Sequence, residues 1–400
     1  MEIKVCEAEA EYNKLMNRIS GVFFGELGFA NAQKYMKGLL SEAERKNGWQ
    51  IAEIIGESTP YTLQQFIYRG TYSSESLRNE LRGYVSENLG EAEGTLVVDD
   101  TGFIKQGVKS CGVQRQYTGT LGKVCNCQLG VFLTYASTKG HTPIDRRLYI
   151  PQSWIDDKDR REEAGVPEET KFQTKPQMAH EMIREATAAG VPYMWVTGDC
   201  AYGDYDVMRS WLEENDKSYV LCVSMKEYIR NYVPSEYDSE KVYVGGIVKG
   251  LSADGWFEAS CGDGSKGVRV YDWQTLDLET ANESGKKHTM LFRRSKSDPP
   301  EIRAYICYAP HSTPAQKLVE IAGTRWTVEM CFKESKGEVG LDQYEVRTYD
   351  AWYKHITFAL LALALIAVLA SRSLDTKSIQ QHNPVSSSLE DFKRGRNLRV

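Results

Sequence analysis

The chain has 400 residues, of which 41% are hydrophobic and 26% are charged, as in an ordinary soluble globular protein of two or three domains. The net charge of −6 excludes DNA binding through overall positive charge, so any such function must use local basic patches. Nine cysteines without a CxxC pair and six scattered histidines exclude a disulfide framework and a zinc ligand set, and indicate thiols in a reducing cytosol.

The first part of the chain, residues 1 to about 90, is predicted to be helical. Its apolar residues recur every three to four positions, and Gly, Pro and Ser interrupt the pattern between segments. The sequence begins MEIKVCEAEAEYNK, which has no apolar stretch and is not expected to be a signal peptide.

Strand patterns follow. GTLVVDDTG (94–102) is predicted to be a strand, and SCGVQRQYTG and CQLGVFLTYAS are predicted to be two more. After a polar stretch at 151–175, the patterns indicate a helix, the strand YMWVTGD (193–199), a helix and the strand SYVLCVSM (218–225). This order predicts an α/β fold with a mixed sheet flanked by helices.

The last part of the chain begins with short β-like runs such as KVYVGGIV, WFEASCG and GVRVYDWQTL, which predict a β-rich insertion. A helix containing TRWTVEMCFKESKG (324–337) comes next. The apolar run FALLALALIAVLA (358–370) is too short to cross a bilayer and is predicted to be a buried core helix, followed by a basic tail, DFKRGRNLRV.

Acidic residues stand at the ends of two predicted strands, Asp99 and Asp100 after the first and Asp199 after the fourth. In open α/β sheets, ligands bind beyond the carboxyl ends of strands near a switch in strand order. Carboxylates in such a place need a cation or hydrogen-bond partners, and Mg²⁺ is a suitable cation. A third acid from a helix packed on the sheet would complete the site, and Glu329 is the candidate.

The helix around Glu329 carries alternating charges on one face. Arg325, Glu329 and Lys333 are four residues apart, and Lys336 lies seven residues after Glu329. This pattern alone favours a salt-bridged surface stripe, and only together with the strand-end aspartates does it favour a catalytic helix.

Taken in order, the motifs LVVDDTGFIKQG, WVTGDCAYG and TRWTVEMCFKESKG resemble those of bacterial insertion-sequence transposases of the DDE superfamily, which have an RNase H-like catalytic core. The resemblance covers nearly the whole chain. Arg325, Glu329 and Lys336 match a helical signature in which three and six residues separate Arg, Glu and Lys. The Tyr that often begins the signature is replaced by Ala322, which leaves one phosphate-contacting role unassigned.

The resemblance implies that Asp100, Asp199 and Glu329 are the catalytic acids and bind two Mg²⁺ ions, for which Mn²⁺ can substitute. Asp99 is the alternative to Asp100, because successive residues of a strand face opposite ways and only one of them points into the site. Asp100 is favoured because in this family the aspartate is directly followed by Thr, here Thr101.

Basic residues are expected to bind the DNA backbone. Next to Glu329, the resemblance assigns Arg325, Lys333 and Lys336 to phosphates. Residues 101–150 carry seven Lys and Arg against one acid, a local charge of +6 that suits a DNA backbone track including Arg115 and Lys123. The alternative is a basic surface that compensates acidic neighbours.

The expected function is that of a DNA transposase that cleaves element ends and transfers the 3′-OH to target DNA, as a homodimer on double-stranded DNA in the cytoplasm, associated with the nucleoid. The alternatives are an RNase H-like endonuclease without strand transfer and a domesticated DNA-binding protein that has lost catalysis. A nucleotide-binding enzyme is disfavoured, because no glycine fingerprint follows the first strand. The expected segments are a DNA-binding helical region (1–90), the first part of the core (91–225), the insertion (226–300), the Glu-bearing part of the core (301–350), and a C-terminal helix and tail (351–400).

Overall fold

The computed structural model describes residues 5–229, 242–264, 267–278 and 284–378. The chain begins with helices, as the apolar spacing predicts: α1 (Val5–Ile19), α2 (Gly25–Leu40), α3 (Gly48–Ile54), α4 (Tyr61–Arg69) and α5 (Ser74–Leu89). The side chain of Asn47 accepts hydrogen bonds from the amides of Trp49 and Gln50 where α3 begins, and Ser73 accepts one from Ser76 where α5 begins. These caps satisfy amides that the helix leaves without partners.

A mixed β-sheet forms the centre of the protein. Its first strands are β1 (Thr95–Ile104), β2 (Gln114–Thr118), β3 (Lys123–Ser137), β4 (Gly140–Leu148), β5 (Trp195–Gly198) and β6 (Ser218–Val223). Strand β3 pairs antiparallel with β1 and β4, whereas β5 runs parallel to β1 and β6, which gives the order β4–β3–β1–β5–β6. Helices flank this sheet, so the expected RNase H-like fold class is confirmed.

The helices between these strands are α6 (Gln152–Ile155), α7 (Lys158–Glu163), α8 (Lys175–Ala188), α9 (Cys200–Gly203) and α10 (Asp206–Glu214). The polar stretch at 151–175 thus contains two short helices. A capping box begins α8: the Thr174 side chain accepts from the Gln177 amide, and the Gln177 side chain accepts from the Thr174 amide.

Strand β4 lies in a segment that the sequence patterns do not identify as a strand. Its residues Asp145, Arg146 and Arg147 resemble an exposed charged loop, yet Asp145 and Arg146 are fully buried. Asp145 forms ion pairs with four guanidinium groups, those of Arg78, Arg82, Arg146 and Arg147. The prediction that the whole basic stretch 101–150 is a DNA track is therefore wrong for Arg146 and Arg147, whose charges stabilise the interior.

The chain between β6 and the Glu-bearing helix, which includes the expected insertion 226–300, widens the sheet. Strands β9 (Phe257–Gly264), β10 (Gly267–Asp277), β11 (Lys286–Arg294) and β12 (Ile302–Pro310) continue it in the order β6–β12–β11–β10–β9, and β7 (Tyr228–Ile229) pairs separately with β8 (Val242–Tyr243). The β prediction for KVYVGGIV is wrong after Tyr243, because Val244–Lys249 forms the short helix α11.

Two long helices complete the described chain, α12 (Ala315–Glu338) and α13 (Tyr349–Ser378). Helix α13 packs against β4 and against the N-terminal helices, with Phe358 in an aromatic cluster formed with Phe23 and Phe66. Residues 349–373 are long and apolar enough to span a membrane by length and composition, unlike the 13-residue run on which the prediction was based, but 78% of an 18-residue apolar window within them is buried inside the protein. The prediction of a buried core helix is confirmed, while the basic tail lies outside the described residues.

Candidate active site

The candidate aspartates lie where the sheet divides. Strand β1 pairs in parallel with β5 only as far as Val98 and Gly198, and beyond that point β1 pairs only with β3. The prediction that Asp99 and Asp100 lie at the end of their strand is therefore wrong. They lie within β1, at the point where it loses its parallel partner. Asp199 directly follows β5 at the same level. The tertiary structure thus places these acids at the kind of position where open α/β sheets bind ligands, beyond the carboxyl end of a strand and near a switch in strand order.

Asp99 faces helix α12. The Arg325 guanidinium donates from Nη1 to Asp99 Oδ2 at 3.3 Å and from Nη2 to Glu329 Oε1 at 2.5 Å. Thr101, two residues after Asp99 and on the same side of β1, accepts from Lys336 Nζ at 2.8 Å. The predicted charged face of α12 is therefore directed along β1, and the Arg325–Glu329 ion pair forms next to the sheet rather than in a separate surface stripe.

Asp100 faces the opposite side of the sheet, toward α8. Its Oδ2 atom forms an ion pair with Lys175 Nζ at 2.8 Å, and its Oδ1 atom accepts from the buried Tyr202 hydroxyl at 3.2 Å. The sequence patterns do not identify Lys175 or Tyr202 as site residues. Tyr202 lies in the motif WVTGDCAYG and could have been recognised there. Nothing in the sequence distinguishes Lys175, because a lysine in the first turn of a helix is common.

Asp199 begins the short helix α9. Its Oδ1 atom accepts from the Ala201 amide at 2.9 Å, while its backbone is extended. This cap fixes the side chain at the edge of the sheet next to Asp99 and Asp100.

Negative charge is in excess at the site, because the candidate acids outnumber the cations that pair with them. Burial, and then the charge of Asp199, raise the pKa of Asp99 to about 7, although Arg325 opposes the shift. Burial and the charge of Asp100 also raise the pKa of Asp199. Within the part of the chain that the structure describes, the four candidate acids form ion pairs with two cations, Arg325 and Lys175.

This donor set fits a divalent cation that prefers oxygen ligands, because such an ion would remove the repulsion between the carboxylates. Among the described residues, no group of three or more His, Cys, Asp or Glu side chains is close enough to hold a metal ion. The predicted convergence of Asp100, Asp199 and Glu329 is therefore not present in this structure. Instead, the Arg325 guanidinium bridges Asp99 and Glu329.

The expected DNA-binding residues differ in their surroundings. Arg115, Lys123 and Lys333 are exposed. Arg325 is occupied by Asp99 and Glu329, and Lys336 donates to the Thr101 hydroxyl and, at 3.2 Å, to the Gly102 carbonyl. Three of the five side chains are therefore directed to solvent, and the other two join α12 to β1.

The insertion supports α12 from the other side. Arg269 donates from Nη2 to the carbonyls of Cys261 in β9, at 2.7 Å, and of Gly323 in α12, at 3.1 Å. A side chain at position 323 would collide with the Cys261 backbone, so glycine permits this close approach. The β-rich insertion thereby holds the helix that carries Glu329.

The sequence is similar to known families and proteins. A family described as DDE superfamily endonuclease matches residues 22–238, more than half of the chain, and one described as transposase DDE domain matches residues 175–365. The probable transposase for insertion sequence element IS701 from Microchaete diplosiphon is 26% identical over 331 residues, which cover 82% of this chain and 79% of that protein.

Proposed function

This chain belongs to the DDE superfamily of endonucleases and is a DNA transposase, and we propose that it cleaves the ends of an insertion sequence and transfers the released 3′-OH to target DNA. The observation that supports this chemistry is the position of Asp99, Asp100 and Asp199 at the point where β1 loses its pairing with β5, together with the Arg325 bridge between Asp99 and Glu329. Both reactions are in-line substitutions at phosphorus, which need positioned groups and charge stabilisation.

Asp100, Asp199 and Glu329 would hold two Mg²⁺ ions, with Asp99 as the alternative to Asp100 and Mn²⁺ as a substitute metal. Bound there, the ions would polarise the scissile phosphate and favour deprotonation of the attacking hydroxyl. Asp99 and Asp100 each have an observation in favour of being the metal ligand. Asp100 precedes Thr101, as in the motif that the chain resembles, whereas Asp99 lies on the side of β1 that faces Glu329.

Arg325 and Lys175 would change partners when DNA enters. Arg325 now pairs with Asp99 and Glu329, and Lys175 pairs with Asp100. The Arg325 side chain is 23% exposed and the Lys175 side chain is 27% exposed. Once the acids have another cation, the guanidinium of Arg325 would be available for a phosphate, whose oxygens match its two donor nitrogens. Lys336 would keep the glutamate helix aligned with β1 through Thr101.

DNA binding by an acidic protein is consistent with a local basic surface, because phosphate contacts are short-ranged and salt screens distant charges. This surface would contain Arg115, Lys123, Arg325, Lys333 and Lys336. The helical region 1–90 would contribute further DNA contacts, and a homodimer would assemble on the two element ends. The protein would work in the cytoplasm, associated with the nucleoid.

The experiment that tests this function is cleavage of a duplex carrying the inverted repeat that flanks the gene. With Mg²⁺ we expect a cut at the element end and joining of the new 3′-OH to a supercoiled plasmid, and with EDTA neither product. Cutting without joining would favour an endonuclease without strand transfer. Specific binding without cutting would favour a non-catalytic DNA-binding protein.

Lys333 gives a separate test of the DNA surface. Replacing Lys333 with Ala should reduce the magnitude of the slope of log K against log salt by about one, because one phosphate contact is lost. The weakening should be similar for specific and unrelated sequences. A salt titration of binding measures it, and Lys296→Ala in the insertion, where Lys296 pairs with Asp272 and Glu258, is the matched control. An unchanged slope for Lys333→Ala would place that residue off the DNA.

A further inference from the structure

The hairpin formed by β2 and the start of β3 exposes large apolar side chains at its tip. Tyr117 is 61% exposed, Val124 53% and Leu121 48%. Tyr117 and Val124 are cross-strand partners and therefore project from the same face, and Leu121 lies in the turn between them. Farther along β3 the side chains are buried from Cys127 onward, so within β2 and β3 the exposed apolar side chains lie at the tip. A cluster of this kind on a soluble protein commonly marks an interaction surface.

The tip is attached to the candidate active site. The Thr120 hydroxyl accepts from the Gly102 amide at 3.2 Å and lies 3.3 Å from the Thr101 hydroxyl. A side chain at position 102 would collide with Thr118, so the hairpin packs directly on β1. Lys336 bonds to the same Thr101 and Gly102. The apolar tip is thus held beside the strand residues that directly follow Asp100.

The charges around the tip suit nucleic acid. Arg115 is exposed and lies two residues from Tyr117 on the same face of the hairpin, and Lys123 is exposed at the end of the turn. Residues 114–124 contain no acidic side chain. The cations can bind the phosphates on the outside of DNA, and the exposed aromatic ring and aliphatic groups can contact the bases inside it.

We propose that the tip of this hairpin, residues 117–124, is a wedge that enters the DNA next to the scissile phosphate. Arg115 and Lys123 would contact the backbone while Tyr117, supported by Leu121 and Val124, separates adjacent bases. Apolar side chains inserted between base steps unstack and kink a duplex, which would let one strand reach the candidate acids at the point where β1 loses its pairing with β5. The proposal rests on the proposed function, since it takes the element end as the ligand.

The experiment places 2-aminopurine, whose fluorescence rises on unstacking, at the base steps flanking the cleavage position. Binding is measured with Ca²⁺ or without metal, so that no strand is cut. For the wild type we expect a several-fold rise in fluorescence at one step. Tyr117→Ala should lose most of this rise and bind the DNA about 5- to 100-fold more weakly, as expected for the loss of one stacked base. Tyr117→Phe should retain both, because stacking needs the ring and not the hydroxyl.

Tyr243→Ala is the matched control, because Tyr243 is 48% exposed and lies in the separate two-stranded sheet formed by β7 and β8, outside the hairpin. A mismatch at the responsive step should restore much of the cleavage that Tyr117→Ala loses, which a merely misfolded variant would not show. An undiminished fluorescence rise with Tyr117→Ala would overturn the wedge. Wild-type cleavage of the same duplex tests the proposed function separately. If the wild type and Tyr117→Ala cut this duplex equally well, the wedge is wrong and the proposed function stands. If the wild type neither cuts the duplex nor changes its fluorescence, both the wedge and the proposed function are wrong.

Discussion

Asp199→Asn and Glu329→Gln are each expected to reduce Mg²⁺-dependent cleavage of an element end about a thousandfold or more while the affinity for DNA changes little. Both replacements keep the shape of the side chain and remove the ligand charge. A metal ion stabilises the charge of such a transition state by several kcal/mol, and 1.4 kcal/mol corresponds to a tenfold change in rate. Gel-based cleavage and fluorescence anisotropy measure the two quantities. Glu320→Gln, an exposed position on the same helix, should behave as the wild type.

Asp100→Asn and Asp99→Asn, tested in parallel, decide which neighbour belongs to the site. The ligand variant should lose cleavage to the same extent as Asp199→Asn, and the other should lose much less. A second readout does not need activity: Ca²⁺ should raise the melting temperature of the wild type by a few degrees, because the ion binds only the folded site. The ligand variant should lose this increase. Full cleavage by any variant would remove its residue from the metal site.

Asp145→Asn is expected to destabilise the folded protein by about 3–5 kcal/mol, because the replacement leaves a buried group of guanidinium charges without their counter-charge. Burial disfavours the Asp145 carboxylate, but the four surrounding guanidinium groups lower its pKa to about 2. Because the folded state binds this proton more weakly than the unfolded state, the stabilisation is present above about pH 4 and decreases as the pH falls toward 2.

Denaturant unfolding at neutral pH measures this loss of stability. Glu75→Gln is the matched control, since Glu75 pairs with Arg78 and Arg146 in the same network but is 50% exposed. Its loss should cost at most about 1 kcal/mol, as expected for an ion pair near solvent. An Asp145→Asn protein as stable as the wild type would show that the surrounding guanidinium groups do not depend on this carboxylate.

The local patterns of the sequence determine much of this protein. Apolar spacing predicts the N-terminal helices, and apolar runs ending in Asp100 and Asp199 predict two strands with acids near a change of strand order. The spacing of Arg325, Glu329 and Lys336 puts their side chains on one face of a helix. These features are readable because each depends on periodicities within one element, 3.6 residues for a helix and two for a strand.

Only the tertiary structure decided how these elements meet. The sequence favours Asp100 through the Thr that follows it, but the packing of α12 on one side of β1 and α8 on the other directs Asp99 to Arg325 and Asp100 to Lys175. Strand β4 was missed because its charges are compensated by α5 and α8, which no local pattern reports. The partners in these contacts are separated by between 38 and 226 residues in the chain, and their energies depend on burial and distance, which the order of residues does not specify.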